Sequence, residues 1–95
     1  MQDIQTKEIK GFPSYGITVK GEVVSYKRKE PHFLHAIVSR NGYKGYCLSE
    51  DGITQTLPIY YLLALAYIPN PDNKKTVTAK DGDLKNLDIT NLEWT

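Results

Sequence analysis

Cysteine, histidine, methionine and tryptophan are nearly missing from this 95-residue chain, which has one Cys, two His, one Met and one Trp. A lone Cys47 excludes a disulfide framework and a cysteine-based zinc cluster. The two histidines, His32 and His35, fall in a stretch that alternates like a strand. Residues three apart on a strand point to opposite faces, so the pair is not expected to share a metal. Charge of one sign is scarce too. Twelve Lys and Arg against eleven Asp and Glu leave +1, which excludes an intense sequence-blind attraction to polyanions. Residues 1–50 hold eight basic against five acidic side chains and residues 51–95 four against six, so the halves are +3 and −2. That asymmetry is too mild for a basic tail. The longest apolar run, Ile59 to Ile68, is well short of the roughly 20 residues that cross a bilayer. Met1-Gln2-Asp3-Ile4 has neither the basic nor the apolar part of a signal peptide, so synthesis in a cytoplasm is expected.

What remains is an ordinary apolar and charged composition for one small α+β domain. Residues 1–11 are polar and are expected to form an arm that ends at Gly11 and Pro13. Antiparallel hairpins are expected over 12–55. Lys20-Gly21 is a tight turn between Ile17-Thr18-Val19 and Glu22 to Tyr26, and Lys27 to Pro31 is a charged loop. Phe33 to Arg40 alternates as one strand. Asn41-Gly42 turns the chain into Tyr43 to Ser49, and Asp51-Gly52 turns it again. A helix is predicted over 56–68. Thr56 is a hydroxyl cap, Pro58 a first-turn residue, and Ile59, Leu62, Leu63 and Ala66 form one apolar stripe. Pro69-Asn70-Pro71 must end it, and 69–95 reads as a compact loop region closed by Leu92 and Trp94.

Several phrases together carry a family resemblance. Ile68-Pro69-Asn70-Pro71 closes the helix, Asp81-Gly82-Asp83 follows, and Asn91-Leu92-Glu93-Trp94 stands near the end. Ile9-Lys10-Gly11-Phe12 and Gly21 to Ser25 are similar to the small module that often precedes such a domain, and Leu48 to Gly52 to the next hairpin of the same arrangement. In this order and spacing the chain resembles the HNH homing-type endonucleases. The resemblance implies a ββα-type C-terminal segment, and implies that the general-base histidine and the metal-binding residue before it fall on Ala79 and Thr78. Alanine cannot accept a proton, and a threonine hydroxyl is a poor substitute for a carboxylate on a divalent cation. Tyr60-Tyr61 stand where relatives carry His-Arg, and a helix that follows the Asn-Leu-Glu-Trp phrase in relatives lies beyond Thr95.

The expectation at this level is therefore a degenerate, non-catalytic member without metal or cofactor. It is expected to be a phage accessory or virion protein in the host cytoplasm or the particle, bound to other phage subunits through Tyr60 and Tyr61. The alternative is a non-cleaving DNA-binding module. Lys27, Arg28 and Lys29, with Arg40 and Lys44 on neighbouring hairpins, would face phosphates, with weak and salt-dependent binding. A solvated basic loop explains the same residues equally well. Tyr26, Tyr43 and Tyr46 suit either stacking or burial. Asp81, Asp83 and Asp88 lack calcium-loop spacing, and with Asn86 and Asn91 they are expected to be scaffold groups of the loop.

Overall fold

The computed structural model describes residues 5–27, 30–38, 40 and 42–95. It is an α+β fold of antiparallel strands with one α-helix among the described residues. The first sheet takes β1 (Lys7–Ile9), β2 (Phe12–Ile17), β3 (Val23–Ser25) and β4 (His32–Phe33) in chain order. The second takes β5 (Ile37–Val38), β6 (Lys44–Glu50) and β7 (Ile53–Pro58), and β8 (Val77–Ala79) pairs only with β9 (Leu92–Trp94). Between β7 and β8 runs α1 (Ile59–Tyr67), which touches β1 and β2 on one side and β6 to β9 on the other. No helix among the described residues is long and apolar enough to cross a membrane.

The hydrophobic pattern accounts for the packing. Ile17, Leu48, Leu62 and Leu63 are fully buried and join Ile9, Val23, Val77, Leu92 and Trp94 in one core. Polar ties then fix the two larger sheets together. The backbone N–H and hydroxyl of Ser14 on β2 donate to the Glu50 carboxylate on β6 at 2.9 and 3.0 Å. The Tyr15 hydroxyl accepts from Ser49 N at 3.1 Å and donates to Ser49 O at 3.3 Å.

Five local expectations are corrected. The polar arm is partly a strand, because β1 pairs with β2 and buries Ile9 against α1. Phe33 to Arg40 is two short strands. β4 pairs with β3 while β5 pairs with β6, so the chain crosses from one sheet to another between them. Both pieces are only two residues long and lie at sheet edges, which limits the backbone they offer to foreign strands. Thr56 lies in β7 opposite Cys47 and does not cap α1. The cap position is Pro58, in extended conformation and with no side-chain bond. Lys20-Gly21 sits in a wider loop closed by Thr18 N to Glu22 O at 2.8 Å, and the buried helix stripe uses Ala64 in place of Ala66. A helix packed on two sides needs a wider apolar arc than a one-sided one, and Ala64 supplies it.

One glycine decides how close β6 and β7 come. A Cβ on Gly45 would stand 2.5 Å from the Leu57 carbonyl oxygen and 3.0 Å from its carbon, and backbone cannot move aside as a side chain would. Gly45→Ala is therefore expected to destabilise the fold by about 2 kcal/mol. For a chain this small that lowers Tm by roughly 10 °C in a thermal melt. An unchanged Tm would mean the β6–β7 pairing is looser than described.

Candidate nucleic-acid interface

The loop between β8 and β9 is organised by hydrogen bonds along its whole length. Thr78 pairs with Glu93 and Ala79 with Leu92, and Lys80 N donates to Asn91 O at 2.6 Å. The buried Asn91 then holds the loop from inside. Its Oδ1 accepts from Asp81 N at 3.0 Å, and its Nδ2 donates to Asn86 O at 3.1 Å and Asp83 O at 3.4 Å. Asp81 accepts from Asn86 Nδ2 at 2.9 Å and Asp83 N at 2.8 Å. Asp88 accepts from the backbone N–H and hydroxyl of Thr90 at 3.0 and 2.8 Å. These are the scaffold bonds that turn chemistry predicts for Asp and Asn.

Those bonds set the acid behaviour of the loop. The Asn86 amide, then the Asp83 N–H, holds the Asp81 carboxyl below its ordinary 3.8. The Thr90 backbone and hydroxyl do the same for Asp88. A depressed folded value stabilises the loop fully above the ordinary pKa, and the contribution is lost as pH falls through the folded value. Amide resonances of Asp83 and Thr90 are expected to hold to about pH 4 and to shift below it. Movement of both near neutral pH would contradict the assignment.

The loop's own described side chains offer a divalent cation few ligands. Among the described residues no three His, Cys, Asp or Glu side chains converge. Ala79 has no donor atom, Thr78 offers a neutral hydroxyl, and both Asp81 oxygens are already engaged.

The positive charge gathers elsewhere, in a groove of about 390 Å³ beside α1. Arg40 and Lys44 line it, with Gly45 and Pro58 beneath and Tyr43 and Tyr60 at its side. A smaller hollow of about 220 Å³ shares Tyr43, Lys44 and Tyr60 and adds Lys85. Tyr43 and Tyr60 meet edge to face at 5.7 Å, and Lys85 Nζ lies 5.8 Å from the centre of the Tyr43 ring. No carboxylate lines either hollow among the described residues. Local density of charge therefore makes this face cationic on a chain that is almost neutral overall.

Of the basic residues predicted to face phosphate, Arg40 and Lys44 come together and Lys27 does not join them. Lys27 Nζ donates to Ser49 O and lies over the Tyr15 ring at 5.1 Å. Ser49 is five residues along β6 from Lys44, roughly 17 Å away. Arg28 and Lys29 lie outside the described residues. Tyr60 and Tyr61 are both half-buried against the core, Tyr60 on Tyr43 and Tyr61 edge to face on Trp94 at 5.5 Å. They do not form the exposed aromatic surface expected of a protein-binding patch. Sequence reasoning missed Lys85, which lines the smaller hollow because the β8–β9 loop comes close to Gly42.

No protein-family model matches the chain. Two proteins of Acanthamoeba polyphaga mimivirus, each named an uncharacterized HNH endonuclease, are 33% identical to it. The matches cover 85% and 93% of this chain, and 24% and 22% of those proteins. A solved structure describing DNA binding and cleavage by the HNH homing endonuclease I-HmuI matches 97% of the chain with a TM-score of 0.75 and 29% identity. The chain spans about a quarter of the curated relatives' length and about half, 52%, of the solved neighbour. These likenesses overturn the expectation of a non-enzymatic, structural virion protein. That expectation rested on Thr78 and Ala79, whereas the relatives are named endonucleases and the neighbour cleaves DNA. Nothing in them supports phage subunits as partners. By sequence and by fold, the chain is a member of the HNH endonuclease family.

Proposed function

We propose that this chain holds DNA for phosphodiester cleavage, the reaction described for its solved neighbour. The observation that carries the reading is the likeness in three dimensions, over 97% of the chain, to a DNA-binding and cleaving enzyme. The Arg40, Lys44 and Lys85 groove supports it chemically. Three cations from two segments line two adjoining hollows without a carboxylate among the described residues, an arrangement suited to the backbone contacts that fix a protein's register on DNA. The adjoining Tyr43 and Tyr60 rings, set edge to face, offer apolar surface for sugar or base. We assign the limit on hydrolysis rate to Ala79, where the motif resemblance puts the general base. Because the curated relatives are viral, we place the DNA target in an infected cell.

The test is a gel shift with an end-labelled duplex library in magnesium, followed by denaturing analysis of the same samples. Retarded complexes together with magnesium-dependent nicks are the expected result. Absence of any complex at low salt would overturn the reading.

A further inference from the structure

On another face of α1 lies a second basic groove, of about 510 Å³. Tyr60 borders the first groove and Tyr61 this one, and successive helical residues project about 100° apart. Three lysines from separate segments line it: Lys7 on β1, Lys10 in the β1–β2 turn, and Lys74 after the Pro-Asn-Pro phrase. Two of them are held in place. Lys7 Nζ lies 5.7 Å from the centre of the Tyr67 ring. Asn70 clasps Lys74, its amide donating to Lys74 O at 2.7 Å and its Oδ1 accepting from Lys74 N at 2.9 Å. The wall is aromatic and fixed: Tyr61 packs on Trp94, whose Nε1 donates to Ile68 O at 3.0 Å. As in the first groove, no carboxylate lines it among the described residues.

We propose that this groove is a second phosphodiester-binding site, which takes a stretch of the same DNA outside that held by Arg40, Lys44 and Lys85. The proposal rests on the DNA-binding reading above and extends the bound DNA to a second face of the protein. Charge complementarity selects the occupant. Three lysines without a carboxylate favour a polyanion, and the aromatic wall favours one that carries sugar and base. The Asn70 clasp gives the Pro-Asn-Pro phrase a purpose beyond ending the helix, since it orients the backbone that carries Lys74.

Trp94 is the only tryptophan and lies in the wall of this groove, so its fluorescence reports occupancy. Wild-type protein titrated with a short random-sequence duplex is expected to show a saturable change in Trp94 emission. A Lys7→Gln, Lys10→Gln, Lys74→Gln variant with unchanged Tm should lose that change, and its log K against log salt slope should fall by roughly 2.7. The parallel Arg40→Gln, Lys44→Gln, Lys85→Gln variant should bind more weakly but keep the Trp94 response once saturated. A lysine variant that keeps both the slope and the fluorescence change would overturn the second site and leave the DNA-binding reading intact. Failure of the wild-type protein to bind DNA would overturn both. An equal Trp94 response to polyglutamate at matched charge would overturn the phosphodiester assignment.

Discussion

Replacing Arg40, Lys44 and Lys85 together by glutamine is expected to weaken duplex binding by tens-fold at moderate salt, with the fold intact. The three side chains line two hollows that share Tyr43, Lys44 and Tyr60, so they are expected to act on one stretch of DNA. Each phosphate contact releases counterions and contributes about 0.9 to the slope of log K against log salt, so three losses flatten it by roughly 2.7. The comparison that gives the result meaning is Lys20→Gln with Lys75→Gln. Both residues are exposed and line neither groove. Loss of binding confined to the groove variant supports a located interface. Equal loss in the two sets would mean that bulk charge alone is at work.

Introducing histidine at position 79 is the second large effect expected. Ala79 sits half-buried on β8, opposite Leu92, next to the loop that Asn91 holds rigid. An imidazole there would have a fixed backbone beneath it and could take a proton from an attacking water. General-base catalysis is worth about 10²- to 10⁴-fold in rate, and that is the gain expected in the nicking rate of Ala79→His. The gain should appear as pH rises through about 6.5, because only neutral imidazole accepts the proton. Ala79→Gln, comparable in size but unable to accept a proton in this range, should show no gain. A folded, DNA-binding Ala79→His protein no faster than wild type would show that position 79 is not where the base belongs.

The parts of this molecule legible in the sequence were those set by short-range rules. The helix ends at Tyr67 with Ile68 as its C-cap, directly before Pro69, and Asp51 and Gly52 turn β6 into β7 with φ of 53° and 79°. The turn chemistry of Asp81, Asn86 and Asn91 was also readable, because those side chains bond neighbours a few residues away. What escaped depended on long-range choices. Alternation over Phe33 to Arg40 cannot reveal that its two ends join different sheets. Nor does a polar stretch such as Lys7 to Ile9 announce a strand when only one of its residues is buried. The site was half legible for the same reason. Arg40 and Lys44 flank one turn, so their shared groove was readable, whereas Lys85 and Lys74 approach through loops whose course has no period. The family phrases led to the expectation that the base and metal positions fall on Ala79 and Thr78, but the inference drawn from it about activity did not survive comparison with the relatives.

The most direct test of the central claim is the salt dependence of wild-type binding to a labelled duplex. The two basic grooves predict a steep log–log slope, between about −2.7 if only Arg40, Lys44 and Lys85 engage and about −5.4 if all six groove cations do. A slope no steeper than about −1, or no binding at low salt, would contradict a DNA-holding role for this chain.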